Sequence, residues 1–292
     1  MKRTRENLLF NVFAIIITSA FALMCVLPML YTLSGSFTKE QALYGGLKLI
    51  PAEFSLDAYR MVLKEPGEML NAYGVTILVV CVGTAASLII TTMTAYVLYR
   101  KDFKYRNVFS FFFFFTTLFS GGLVPSYILI TKMGLKNTLA VLLLNNLFSV
   151  FNMIVTRSYF TGNIPSVLVE SAKIDGADDF RIYWRIVMPA AKPILATIGL
   201  LVALAYWNEW YNAMLYITDK KLYPLQYYLY NIFNSAQLKN AMAEAGAGAS
   251  TQMPKEGYKL AMTIFTTGPI VLLYPFVQKY FVAGMTIGAV KG

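Results

Sequence analysis

The chain has 292 residues, of which 57% are hydrophobic and 14% charged, with a formal net charge of +10 and no histidine. A soluble domain carries roughly 25% charged residues, so this is a membrane composition, and the missing histidine removes Ser-His and Cys-His catalysis. Most of the basic residues sit beside apolar stretches, where they mark the cytoplasmic side of a bilayer rather than a nucleic-acid surface.

The first apolar segment covers about 8–31, after Lys2, Arg3 and Arg5. It exceeds the ~7–15 residue core of a signal peptide, and Ser34-Gly35-Ser36 is a poor cleavage site, so it reads as an uncleaved span with the amino end inside. Further spans are expected at about 73–99, 108–130, 138–156, 193–217 and 260–277. Runs this long in lipid must be helices, because lipid offers unpaired backbone groups no partner. The expected fold is therefore all-α and polytopic, with about six transmembrane helices of ~20 residues, and 1–292 is one transmembrane domain. Cys25 and Cys81 both fall within apolar segments, which disfavours disulfides and zinc, and no metal site or catalytic residue is expected.

The cluster Arg100, Lys101, Lys104 and Arg106 follows the second span and carries most weight in orienting the chain, with both termini in the cytoplasm. Two long segments then lie outside, about 32–72 and 218–259, the second containing the small-residue stretch 241–250. Gly121-Gly122 and Pro125 predict a bent or broken third span. The five consecutive rings 111–115 point all around a helix and suit lipid or bundle packing, and Thr91, Thr92 and Thr94 suit helix packing.

Between the fourth and fifth spans lies a cytoplasmic loop, 157–192, with its own helix signals. Asn163 or Ser166 can cap a short helix through Ile174, Gly176 breaks it, and Asp178-Asp179 open a second helix ending before Pro189. Phe180, Tyr183, Trp184 and Val187 form an apolar stripe opposite Arg181 and Arg185, suited either to the membrane surface or to a partner's groove. Gly176 serves a close backbone approach or a turn needing positive φ.

Glu170-Ser171-Ala172, Gly176 and Pro189 resemble the EAA loop of binding-protein-dependent ABC importer permeases, with Ser171 where alanine is usual. The resemblance extends through 207–213, Tyr223-Pro224-Leu225, Gly268-Pro269 and the ending 284–292, which look like the carbohydrate-uptake branch. Within that branch the chain resembles the maltose-type second permease, in the subgroup associated with polysaccharide-derived oligosaccharides. The resemblance implies a type I importer permease in the inner membrane, paired with a second homologous permease, two ATPase subunits and an extracytoplasmic solute-binding protein. It implies that Glu170, Ser171, Ala172 and Gly176 form the ATPase-coupling helix, that Pro189 ends the loop, and that the tail to Lys291-Gly292 reaches towards the ATPases. ATP and Mg²⁺ belong to those partners; this chain has no G-x-x-x-x-G-K-[ST] phosphate loop and needs no cofactor of its own.

The fifth span holds Tyr206, Trp207, Asn208, Glu209, Trp210, Tyr211 and Asn212. With a boundary near Ile217, Glu209 would lie ~12 Å deep at helical rise. Asn208 and Asn212 would share one face, and Trp207 and Tyr211 another. These residues, with Asn145 and Asn146 of the fourth span, suit a sugar pathway of amides, a carboxylate and stacking rings. They equally suit an interfacial aromatic belt with asparagines bonding neighbouring helices. The rivals to a carbohydrate permease are a permease for another small solute, an ion-coupled secondary transporter and a membrane-embedded enzyme. The transporter would need inverted repeats and midplane acids, and Glu209 is the one strong candidate acid. The enzyme would need clustered catalytic groups, against which the missing histidine and scarce intramembrane acids argue.

Overall fold

In the computed structural model, residues 5–46, 48–64, 66–244 and 256–289 are described. The elements in chain order are α1 (Arg5–Ser36), α2 (Glu40–Leu43), α3 (Asp57–Lys64), α4 (Gly67–Tyr99), α5 (Arg106–Leu118), α6 (Leu123–Lys132) and α7 (Leu139–Leu144). There follow α8 (Val150–Asn163), α9 (Ser166–Ile174), α10 (Asp179–Ile182), a π-turn (Tyr183–Val187), α11 (Met188–Ala190) and α12 (Lys192–Trp207). The chain continues with α13 (Tyr211–Tyr216), α14 (Leu225–Glu244) and α15 (Glu256–Ala289). The described residues hold no strand beyond a single antiparallel bridge between Thr38 and Phe54. Part of the 241–250 stretch and the end of the tail lie outside the described residues.

All the predicted spans coincide with helix, but not all with unbroken helix. α1 and α4 are each long and apolar enough to cross a bilayer, and α5 with α6, and α10–α11 with α12, qualify only as bent pairs, at 114° and 83°. The first bend falls at the predicted glycines: Gly122 has φ +87° immediately before α6. Pro125 lies in the first turn of α6, where a missing N–H costs no helical bond.

The segments 138–156 and 193–217 were expected as continuous spans, and both are interrupted. α7 stops at Leu144, and Ser149 restarts α8 by accepting from the Asn152 amide at 3.4 Å. α12 stops at Trp207, where the Leu204 carbonyl accepts both the Asn208 backbone N–H at 3.1 Å and the Asn208 side chain at 3.0 Å, and the Glu209 carboxylate accepts from the Asn212 amide at 2.8 Å at the start of α13. At the starts of α8 and α13 polar side chains thus accept N–H groups that a helix end leaves unpaired. Because the helix breaks between them, Asn208 and Asn212 do not share a helical face.

The chain divides into two compact units, 1–66 with 229–269, and 67–228 with 270–292. In the first, Lys39 N–H donates to the Glu53 carbonyl and Ser55 N–H to the Phe37 carbonyl, while the Phe37 ring stacks on Phe54 and Tyr59. Glu40 then accepts from the backbone amides of Glu256 and Gly257, at 2.8 and 3.0 Å, which caps the first turn of α15 with a carboxylate.

In the second unit α4 is the central element and packs along α8 and α12. It buries Val79, Gly83, Ser87, Thr91, Thr92 and Ala95, small and β-branched residues that let the helices approach closely, together with the larger Tyr96 and Leu98. Of the expected packing threonines, Thr92 bonds across to Tyr183 at 2.7 Å, Thr94 bonds back to Ile90, and the buried Thr91 hydroxyl has no partner. Phe111, Phe112, Phe114 and Phe115 face outward, whereas Phe113 packs on Phe148.

Candidate functional site: the α9–α11 knob and the α7/α12 breaks

The segment between α8 and α12 forms the helical knob foreseen in the loop, with different ends. Asn163 closes α8 rather than capping α9, which begins after Pro165. Ala177 N–H donates to the Ala172 carbonyl and Gly176 N–H to the Lys173 carbonyl, closing α9 around Gly176 at φ +79°. No atom lies within 4 Å of where a Cβ on Gly176 would sit, so within the chain it is the turn that demands glycine. Asp178 caps α10 through the Arg181 amide at 2.7 Å, as its position predicted.

Pro189, expected to end the second helix, does not. The helix runs on through it to Ala190, past the π-turn in which the Met188 N–H donates to the Tyr183 carbonyl, and the chain turns only at Ala191. The aromatic stripe also divides: Tyr183 and Val187, with Ile182, are buried in the chain, while Phe180 and Trp184 stay exposed. The π-turn accounts for this division, because its extra residue per turn rotates the helix away from simple three- and four-residue spacing. Glu170 and Ser171 face outward and Ala172 is half-buried.

The knob is tied to the end of α4 by residues whose pairing was not legible in the sequence. Arg100, buried, donates to both Asp102 oxygens, to Asp179 Oδ1 at 2.6 Å and to the Tyr96 hydroxyl at 2.7 Å. Lys173 of α9 closes the ring on Asp102 Oδ2 at 2.5 Å, and the Tyr99 hydroxyl donates to the Ile164 carbonyl at 2.9 Å. Burial works against the Arg100 charge, but bonds to Asp102, Asp179 and Tyr96 outweigh it and raise its pKa. The Arg100 and Lys173 hydrogen bonds hold the Asp102 carboxyl well below the usual carboxylate range. The bond to Asp102 likewise raises the Lys173 ammonium. A cleft of about 240 Å³ lies beside this cluster, with Tyr99, Val169 and Glu170 on its walls. Arg100 reads in sequence as an ordinary basic flank, and its one available signal was Asp102 two residues on.

The pathway candidates separate into three environments. Asn146, Glu209 and Asn212 come together: Glu209, buried, accepts from Asn146 Nδ2, Asn212 Nδ2 and Asn212 N, each at 2.8 Å. Trp207 is not on a wall but in a core with Ala72 and Leu225, its indole N–H without a partner. Asn145, Asn208 and Trp210 are exposed, Trp210 lying edge-on to Tyr211.

Tyr206, noted in the fifth span but given no role of its own in the sequence, is a further organising residue. Its buried ring lies against Gly83 of α4, and its hydroxyl donates to the Leu143 carbonyl at 2.7 Å, just before the break after α7. Both interruptions are thus held to each other and to α4. Irregular backbone at membrane depth is tolerated where it is buried in protein or lines a cavity.

Residues 87–287 match the family described as binding-protein-dependent transport system inner membrane component. The chain is 38% identical over 289 residues to the polygalacturonan/rhamnogalacturonan transport system permease protein YtcP of Bacillus subtilis (strain 168), covering 98% of this chain and 100% of that one. It is 37% identical over 293 residues to protein LplC of the same organism, covering 100% and 98%. It also resembles a chain in the crystal structure of a bacterial ABC transporter involved in the import of the acidic polysaccharide alginate. There the TM-score is 0.83 at 30% identity, over 96% of this chain and 99% of that one.

Proposed function

The chain belongs to the binding-protein-dependent transport system inner membrane components, and from that premise we propose that it carries oligosaccharide inward as one permease subunit of an ABC importer. The relatives named for polygalacturonan/rhamnogalacturonan transport and alginate import support a carbohydrate cargo derived from polysaccharide. A second permease, two ATPase subunits that bind ATP and Mg²⁺, and an extracytoplasmic binding protein complete the assembly. Both termini and the knob lie in the cytoplasm, in keeping with the basic residues Arg100, Lys101, Lys104 and Arg106 beside the knob.

The observation that carries this reading is the stiff knob itself. A loop transmits motion only if it is more rigid than its connections, and α9 and α10 are fixed by a positive-φ glycine turn, an Asp178 cap and the Arg100 cluster. Its outward residues, Glu170, Ser171, Phe180 and Trp184, are the ones available for a groove on the ATPase. Closure of the ATPases would then rock α9–α11 and open the translocation path outward, and their separation would open it inward.

The test is co-purification of the ATPase with the permease pair, followed by sugar-stimulated ATP hydrolysis in proteoliposomes. Gly176→Val forces a β-branched residue into positive φ, and Glu170→Lys reverses a docking-face charge. Each is expected to cost about 2 kcal/mol of association, or ~30-fold in affinity, as a central interface residue does. Retention of the ATPase at wild-type affinity by both variants would refute the docking role.

A further inference from the structure

The knob is joined covalently to α8 at one end and, through the 83° turn at Ala191, to α12 at the other. It has no chain connection to α4, yet α4 is the helix against which α8 and α12 both pack. Whether a stroke at the knob moves α4 directly depends on side chains alone. Arg100 stands just past the last turn of α4 and reaches Asp179 of α10, while Lys173 of α9 reaches Asp102 beyond α4. Two further bonds tie the segment between α8 and α12 to α4: Tyr99, in the last turn of α4, to the Ile164 carbonyl, and Thr92, about two turns earlier, to Tyr183. Contacts at separated points along one helix resist rotation as well as sliding, which a single contact does not.

We propose that Arg100, Asp102, Lys173 and Asp179 form the joint that carries movement of the knob into α4, making Arg100 a positioning residue for transport. The inference rests on the reading of the knob as the ATPase-coupling element. Arg100 suits the task because its planar guanidinium engages Asp102 through two nitrogens while a third direction is left for Asp179. Its burial also removes the freedom by which an exposed ion pair would slip. Through α4 the joint reaches Gly83, and there the Tyr206 ring and the two broken spans.

The experiment uses the complete importer in proteoliposomes loaded with ATP, comparing wild type with Arg100→Gln and Asp102→Asn. Asp102→Asn is the milder change, since its side chain is half-exposed, and it carries the test if Arg100→Gln fails to assemble. Both variants are expected to keep the ATPase bound and hydrolysis within about twofold of wild type, while sugar imported per ATP falls at least ~5-fold, the lower end of ordinary coupling between sites. Arg157→Gln, which loses a bond to Ser110 outside the cluster, serves as the control and should leave that ratio unchanged. Hydrogen exchange of the knob amides is the second readout and requires no sugar: protection over 166–187 should fall in both variants and not in the control.

An unchanged ratio of sugar to ATP in an assembled Arg100 or Asp102 variant, or unchanged exchange, overturns the joint while leaving the carbohydrate permease reading standing. If the wild-type importer responds to no carbohydrate, the carbohydrate reading fails. The joint is then judged on exchange alone.

Discussion

Glu209→Leu is expected to be among the most damaging single substitutions in this chain, lowering stability by about 2–5 kcal/mol. The carboxylate accepts three N–H groups, from Asn146 Nδ2, Asn212 Nδ2 and Asn212 N. Bonds between helices in a membrane are worth roughly 0.6–1.7 kcal/mol each, and a charged acceptor raises that figure. Leucine would remove the acceptor of all three donors, which belong to the half-buried Asn146 and Asn212. It would also free both helix interruptions at once, since Asn146 lies in the break after α7 and Asn212 in the first turn of α13.

Glu209→Gln should cost much less, because a glutamine oxygen can retain the Asn212 amide and the Asn146 carboxamide can turn its oxygen to the new NH₂ group. Thermal unfolding of the purified permease pair in detergent, followed by intrinsic fluorescence, measures the difference. Equal losses for Leu and Gln would show that the charge, rather than the acceptor geometry, holds the site. An Asn146→Leu, Glu209→Leu double variant should lose less than the sum of its single losses, because the two residues share a bond.

A second large effect is expected at Gly83. A Cβ placed there meets three atoms of the Tyr206 ring at 2.4, 2.6 and 2.9 Å, well inside contact distance. The ring cannot withdraw cheaply, since it is buried and its hydroxyl is bound to the Leu143 carbonyl. Gly83→Ala should therefore cost about 1–3 kcal/mol of overpacking, together with ~1 kcal/mol for the hydroxyl bond if the ring swings out. The partner substitution decides the cause. In a Tyr206→Leu background the alanine should be far better tolerated, because the shorter side chain vacates the crowded space. If Gly83→Ala destabilises that background equally, the clash is not the origin of the loss. Transport should follow stability here, as α4, α7 and α12 meet at this point.

Several elements were readable in advance because their causes are local. Gly176 must adopt positive φ, Asp178 sits one residue ahead of the helix it caps, and Gly122 precedes a sharp bend. Such features depend on a few neighbouring residues, and the EAA-like pattern at Glu170-Ser171-Ala172 adds the family that the comparisons then identified. Asn145 and Asn208 stand in the sequence as polar residues within apolar runs that read as continuous spans, suited to a pathway or to bonds between helices, and the runs break at both. Apolar length alone does not reveal that Glu209 will accept a first-turn amide of a new helix while also holding Asn146. Pro189 is the opposite case: it follows the π-turn directly, and the helix that opens at Asp179 continues through it to Ala190.

The amino-acid sequence by itself determined that the chain is all-helical and membrane-borne, where its apolar segments lie, and that a glycine-centred knob interrupts them. These follow from composition, from the backbone's need for internal hydrogen bonds in lipid, and from short-range dihedral constraints. Only the tertiary structure decided what the polar residues do. Asn146 meets Glu209 across 63 positions, Arg100 meets Asp179 across 79, and Thr92 meets Tyr183 across 91. Helical periodicity assigns a residue to a face of its own helix but does not say which helix comes to face it. Arg100 is thereby a basic flank in the sequence and a buried joint in the fold, and Glu209 is a lone membrane acid in the sequence and a saturated acceptor in the fold.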